Sequence, residues 1–216
     1  MKVVEIFESI DGEGIRAGLP VTFIRLYGCN LNCSYCDSQY ACSGSEYKDM
    51  AIDEVLLAVG KFNHQLVTLT GGEPLIHPDV AYLIQALSLQ NYKVNIETNG
   101  SVDISPYCKK RSILITMDYK CPSSKMEGKM LCSNFKLLRT KDVLKFVVGS
   151  YEDLQKAKEV IDDFRLMHSC NIYFSPVFGK ISAKEILDFI LDEHLEGVRV
   201  QLQLHKYIWD PNMRGV

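Results

Sequence analysis

Val21-Thr22-Phe23-Ile24-Arg25-Leu26-Tyr27 is followed at once by Cys29-Asn30-Leu31-Asn32-Cys33-Ser34-Tyr35-Cys36. The first run is β-branched and aromatic and reads as a strand. The second places three thiols within eight residues, three residues apart and then two. So short a segment cannot hold its sulfurs far apart, and they must converge on one centre. Thiolates select zinc, copper or iron–sulfur clusters. Structural zinc is normally closed by four ligands, and so is an ordinary electron-transfer cluster. Three cysteines in a tight loop therefore point to a [4Fe-4S] cluster with one iron open to a non-protein ligand.

The unit of strand and loop recurs along the chain. Leu66-Val67-Thr68-Leu69-Thr70 stops at Gly71-Gly72, and Val94-Asn95-Ile96-Glu97-Thr98 stops at Asn99-Gly100. Ile113 to Met117, Val143 to Val148, Ile172 to Phe174 and Val198 to Leu204 read as further strands. Ile52 to Phe62 and Val80 to Leu89 carry apolar positions at helical spacing, while Ser150-x-x-Asp153 and Ser182-x-x-Glu185 predict capped helix starts. Alternating strands and helices predict parallel strands joined by helical crossovers. Polar residues collect at the carboxyl ends of the strands (Arg25, Thr70, Glu97, Asp118, Ser175), where α/β barrels place their active sites. A full eight-fold barrel takes about 250 residues. The present length therefore predicts an α/β fold, a partial (β/α)6 TIM-like barrel forming one domain over residues 1–216. Lys120 to Asp142 breaks the rhythm with many lysines and weak periodicity, and is expected to form a short helix flanked by loop, or a lid.

Composition narrows the function classes. Hydrophobic residues make up 47% and charged residues 24%, an ordinary globular balance. A net charge of -3 gives no footprint for nucleic acid, and no apolar run approaches the roughly 20 residues of a membrane span. Met1 to Ser9 lacks the order of a signal peptide. Eight cysteines in such a chain predict a reducing, cytoplasmic setting.

The cysteine loop, Thr70-Gly71-Gly72-Glu73-Pro74 and Glu97-Thr98-Asn99-Gly100, each ending its own strand, form a set that resembles the radical S-adenosylmethionine (SAM) superfamily. The resemblance implies a barrel of the radical SAM type, with Cys29, Cys33 and Cys36 as the catalytic cluster ligands. It also implies that SAM docks on the open iron and is cleaved to a 5′-deoxyadenosyl radical. Phe7-Glu8-Ser9-Ile10-Asp11-Gly12-Glu13-Gly14, Cys36-Asp37-Ser38, Leu204-His205-Lys206 and Arg214-Gly215-Val216 narrow the match. This set is similar to the 7-carboxy-7-deazaguanine synthase family of queuosine biosynthesis. The family implies a lyase-type ring contraction of 6-carboxy-5,6,7,8-tetrahydropterin to 7-carboxy-7-deazaguanine, with loss of ammonia.

Residue by residue, the resemblance assigns Tyr35, Cys36, Asp37, Gly72, Asp118, Tyr119, Lys120 and Ser175-Pro176-Val177-Phe178 to SAM. It assigns Ile10, Asp11 and Gly12, largely through backbone groups, together with Arg25, Thr70 and Val216 to the substrate. Arg25 would hold the substrate carboxylate with its planar fork, and Val216 would reach the substrate through its terminal carboxylate. Glu13 lies where it could meet the pterin amino edge. Ser38 stands where many members have threonine as a Mg²⁺ ligand, and it keeps the oxygen that Mg²⁺ accepts. Asp118-Tyr119-Lys120 departs from the more usual serine-proline-lysine. The implied partners are the pterin, reduced flavodoxin or ferredoxin as electron donor, and a second copy in a homodimer.

Plainer readings stand beside these. Arg25 also suits a strand-end salt bridge, and Tyr35 also suits loop packing. Cys108, Cys121, Cys132 and Cys170 read as small buried hydrophobes, and Trp209 as a packing anchor for the tail. Cys42 could add a fourth ligand to the loop. Two other functions share the motifs: an activating enzyme for a glycyl-radical protein, and a structural zinc module built on four cysteines.

Overall fold

Every strand read from the sequence is present, and two more precede or interrupt them. The computed structural model describes residues 1–44, 46–211 and 213–216. Strand β1 is Lys2–Ile10, β2 Pro20–Leu26, β3 Lys48–Asp49, β4 Leu66–Gly71, β5 Lys93–Thr98, β6 Ile113–Lys120, β7 Val143–Val148, β8 Asn171–Pro176 and β9 Val198–Val200. They form one sheet in the order β3-β1-β2-β4-β5-β6-β7-β8-β9. β2 and β4 through β9 run parallel, whereas β1 lies antiparallel to β2 and β3. The sheet is an incompletely closed, TIM-like barrel. The helices are α1 (Gln39–Ser43), α2 (Ile52–Gly60), α3 (Val80–Leu89), α4 (Tyr151–Asp163), α5 (Ala183–Asp192) and α6 (His205–Ile208).

Strand side chains alternate between two faces, and here the faces differ in kind. Ile24, Leu26, Leu69, Val94, Ile96, Ile115, Met117, Phe146 and Phe174 join the buried core under the helices. Their neighbours Arg25, Thr68, Thr70, Asn95, Glu97, Thr116, Asp118 and Lys145 take the concave face. Parallel register sets Arg25 beside Thr70 and Asp118 beside Lys145. α/β barrels usually fill this interior with branched apolar side chains. A polar lining instead leaves hydrogen-bonding groups for a bound molecule.

Two crossovers depart from the expected repeat. Neither β5–β6 nor β6–β7 contains an α-helix. The second is made of three 3₁₀ turns, Pro122–Ser124, Glu127–Lys129 and Cys132–Leu137. Pro106, Pro122, Gly100 and Gly128 interrupt any helical run, and no apolar stripe spans the lysines. Asn134, fully buried, replaces the missing helix bonds. It accepts from Ile104 N–H at 3.3 Å and donates to the carbonyls of Gly100 and Val102 at 3.2 and 2.8 Å. Of the two capping boxes, Ser182–Glu185 is complete. Ser150 caps α4 alone, because the Asp153 carboxylate accepts from Ser123 N–H and Gly149 N–H instead. β9 ends at Val200, earlier than the sequence suggested, and the chain turns toward residues 12–14.

That turn welds the split side of the barrel. Leu204 N–H donates to the Gly12 carbonyl at 3.0 Å, and Gly14 N–H to Gln201 Oε1 at 3.1 Å. Gly14 sits at φ 78°, a conformation that only glycine adopts freely. Arg16 pins the same loop, reaching Asp11 at 2.7 Å, Thr68 Oγ1 at 2.7 Å and the carbonyls of Val67 and Lys93.

Candidate active site

The cysteine loop caps the carboxyl end of β2, at one mouth of the polar interior. Cys29 accepts from Leu31 N–H at 3.4 Å and Asn99 Nδ2 at 3.7 Å. Cys36 Sγ lies 3.8 Å from Cys42 Sγ and 3.9 Å from Ser38 Oγ. Contact with Cys42 brings the Cys29 and Cys36 thiols down to about 6 and drives Cys42 upward. Burial raises Cys33, which Lys120 partly offsets. Gly72 backs directly onto the loop: a Cβ there would collide with the Gly28 carbonyl and stand 2.8 Å from Cys29 Cβ. Among the described residues, no three His, Cys, Asp or Glu side chains gather as a single metal ion requires.

Beneath the loop lies a charged chamber. Lys145, 8% exposed, bridges Glu13 at 2.9 Å and Asp118 at 3.1 Å. Burial opposes its charge, yet Asp118, Glu13 and Glu97 hold its ammonium well above the ordinary lysine range. Asp118 is held below the carboxylate range because Lys120, at 3.0 Å, and Lys145 outweigh its burial. Glu13 also accepts from Ser175 Oγ at 2.5 Å. Burial pushes Glu97 up to about 7 despite Lys145 and a bond from Thr70. Arg25 gives its Nε to Glu5 at 2.7 Å and stacks near Phe7 and Tyr40. The salt bridge expected as the plainer reading is thus present, but it uses one donor of five. Arg214 lies 4.0 Å over the Tyr40 ring and Gly215 approaches Glu5, so the segment ending in Val216 runs beside the Arg25 cluster.

The sequence profile of the Radical SAM superfamily matches residues 23–114. The 7-carboxy-7-deazaguanine synthase of Clostridium acetobutylicum is 49% identical over 218 residues, covering 100% of this chain and 99% of that one. The chain belongs to the 7-carboxy-7-deazaguanine synthase family. A second member, from Methanospirillum hungatei, is 42% identical over 98% of this chain and 86% of its own. In fold, the chain resembles the crystal structure of QueE from Escherichia coli, with a TM-score of 0.77 at 20% identity, covering 94% of this chain and 93% of that one.

A 7-carboxy-7-deazaguanine synthase is a radical SAM enzyme, which implies a [4Fe-4S] cluster and SAM as cofactors. The donors here suit them: three thiols in one loop, amide hydrogens aimed at Cys29, and a backbone at Gly72 too close for any side chain. Of the residues assigned by resemblance, Arg25, Thr70, Asp118, Lys120 and Ser175 share the chamber. The Tyr35 hydroxyl donates to the Val147 carbonyl at 3.2 Å. Asp37 stays exposed, 3.7 Å from Lys206, and Phe178 is half-exposed against the same ammonium. Pro176 ends β8, and Val177 N–H binds the Val148 carbonyl.

Two of the residues assigned by resemblance have side chains engaged elsewhere in the fold. Tyr119 faces away from the chamber: it is 4% exposed, packs on Phe135 and Phe146, and donates to Glu127. Strand parity decides this, since Asp118 and Lys120 flank it on the other face. Asp11 is committed internally. Its carboxylate accepts from Arg16 and Thr68, its N–H donates to Leu19, and its carbonyl accepts from Gly18. Ile10 ends β1, and Gly12 sits against His205, the second lone pair of its carbonyl remaining for a ligand.

Sequence reasoning missed Lys145, and left Glu97 and Glu73 without roles. Glu73, fully buried, accepts from Leu75 N–H at 3.0 Å, Asn99 N–H at 2.6 Å and Thr98 Oγ1 at 2.9 Å. It clamps the Gly-Gly turn to the end of β5, which positions Asn99 toward Cys29. Glu73→Ala will strand two buried amides and lower stability by about 3–5 kcal/mol in urea unfolding. A loss below about 1 kcal/mol would deny the clamp.

Burial raises Glu73 and Glu97 to about 7, from an ordinary 4.5. Between those values the folded protein keeps protons the unfolded chain has released, so stability falls as pH rises from about 4.5 to about 7. Glu97→Gln removes one of the two groups. Its melting temperature will therefore vary less between pH 5 and pH 8 than that of the parent, and equal slopes would refute the assignment.

Proposed function

We propose that this chain contracts the ring of 6-carboxy-5,6,7,8-tetrahydropterin to 7-carboxy-7-deazaguanine with loss of ammonia. The observation that carries this reading is the chamber's charge layout. Among the described residues Arg25 hydrogen-bonds through its Nε alone, so its two terminal nitrogens suit a carboxylate. Glu97 and Glu13, with Lys145 between them, offer acceptors suited to the amino-rich edge of a pterin. When bound, the cluster supplies the electron that cleaves SAM and so begins the radical reaction. Cys29, Cys33 and Cys36 would hold it; Gly72, Tyr35 and the Asp118–Lys120 strand end would hold SAM above the substrate. The chain's own work is to orient the pterin, exclude water from the chamber and keep both carboxyl groups and the ammonium at fixed points. Incubation with reductant, SAM and 6-carboxytetrahydropterin should yield the deazapurine by mass. A cluster-loaded enzyme that cleaves SAM without forming it would overturn the assignment.

Arg25→Ala will weaken pterin binding by tens- to thousands-fold, the roughly 2–5 kcal/mol lost with a buried charge-assisted pair. Iron content should not change, and unaltered pterin affinity would remove Arg25 from the substrate site.

Three further readings belong to the same proposal. Ser38, its hydroxyl beside Cys36, would share a Mg²⁺ ion with waters and the substrate carboxylate; Ser38→Ala should then lose Mg²⁺ stimulation. An acidic flavodoxin or ferredoxin suits residues 101–142, which carry nine of the 24 basic residues and four of the 27 acidic ones. Reduction by such a donor should slow steeply with salt. Exposed Ile15, Leu19, Tyr207 and Ile208 around the seam suit a homodimer, for which sedimentation velocity is the check. A cytoplasmic setting follows from the thiol chemistry, and no described helix is long and apolar enough to cross a membrane.

A further inference from the structure

Cys42 lies outside every motif that defines the site, yet the fold returns it to the cysteine loop. It sits on α1, two turns of chain beyond Cys36. α1 is pinned in place: the Ala41 carbonyl accepts from Gly28 N–H at 2.7 Å, immediately before Cys29, and Tyr40 donates to Glu5 at 2.9 Å. The Cys42 sulfur consequently stands 3.8 Å from that of Cys36. Its other acceptor is the Ser38 carbonyl, 3.5 Å away.

The direction of the thiol hydrogen follows from the chemistry of ligation. Cysteines that hold iron are thiolates and carry no proton. In a pair made of Cys36 and Cys42, only Cys42 then has a hydrogen to give, and an anionic sulfur is a stronger acceptor than the neutral Ser38 carbonyl. Cys29 already receives two N–H groups, from Leu31 and Asn99. Cys42 gives Cys36 a donor of its own. Hydrogen bonds to such sulfurs stabilise the more negative, reduced state and so raise the potential of an iron–sulfur centre.

We infer that the Cys42 thiol is a hydrogen-bond donor to the sulfur of Cys36 that raises the reduction potential of the cluster that Cys36 helps to hold. The inference rests on the reading of Cys29, Cys33 and Cys36 as ligands of a [4Fe-4S] cluster. Cys42 is a positioning residue in this scheme, and one electron from the titrant accounts for the whole step.

The test uses anaerobically reconstituted parent, Cys42→Ala and Cys42→Ser proteins without SAM. Iron content is measured, and the reduced cluster is followed by electron paramagnetic resonance in a dithionite titration. Cys42→Ala should keep its iron while its ratio of reduced to oxidised cluster, at a fixed ambient potential, falls about tenfold, equivalent to about 59 mV for one electron. Cys42→Ser, which keeps a donor, should recover part of the shift. Coincident titrations of parent and Cys42→Ala would reduce Cys42 to packing and overturn the inference. Loss of iron from Cys42→Ala would overturn it differently, by making Cys42 a ligand. A parent protein that takes up no cluster would overturn the ligand reading itself, and this one with it.

Discussion

A Cys33→Ala variant will bind no stable cluster and form no deazapurine, while keeping its fold. Cys33 is half-buried in a loop whose backbone is held by other groups: Ser34 N–H bonds the Ser124 carbonyl at 3.1 Å, and Ser34 Oγ bonds that of Ser123. Removing one sulfur therefore leaves the loop tethered and takes away a third of the protein ligands of the cluster. Burial raises the Cys33 thiol, so a cluster must displace its proton to bind there. Iron analysis and visible absorbance after reconstitution test the first half, and mass detection of product the second. Turnover persisting in the variant would remove Cys33 from the ligand set.

Lys145→Met should lower stability at neutral pH by about 3 kcal/mol, the low end expected when one partner of a buried ion pair is removed. Methionine keeps the length and apolar stem, so packing is spared and the charge is isolated. Glu13, Asp118 and Glu97 would then face one another without the ammonium that links them. The lower figure is chosen because Asp118 is 24% exposed and water screens part of the repulsion. The sign with pH separates this from a packing defect. In the parent, Asp118 is held low by Lys120 and Lys145, a stabilisation present above about 3.8 and lost as pH falls through its lowered value. In the variant, the freed acids protonate more readily, so the deficit should narrow as pH falls from 7 toward 4.5. Chemical unfolding at the two pH values decides it, and a constant deficit would assign Lys145 to packing.

The outline of both fold and site was readable because strand endings carry their chemistry in the open. The β-branched run into Cys29 and the Gly-Gly after Thr70 needed no tertiary knowledge. The inner face was also written in the chain, in the alternation of Val94-Asn95-Ile96-Glu97 and Ile115-Thr116-Met117-Asp118. Period-two parity along β6 places the Tyr119 side chain on the face opposite those of Asp118 and Lys120. Lys145 was visible as the lone charge in Val143-Leu144-Lys145-Phe146-Val147-Val148. Its partners were not, because Glu13 is 132 residues away and no local pattern links them. The two helix-free crossovers were hidden for a different reason. A 3₁₀ chain held by Asn134 depends on carbonyls at Gly100 and Val102, which no window around residue 134 contains.

The seam that joins residues 12–14 to residues 201–205 has a bearing on how the enzyme comes into being. The bond from Gly14 to Gln201 spans 187 positions, so it can form only after nearly all of the chain has left the ribosome. Until then the reaction vessel stands open along one side. Contacts of such long sequence separation come late and slowly. Iron delivered to a nascent chain would meet a finished cysteine loop above an unfinished room, which favours loading the metal after synthesis rather than during it.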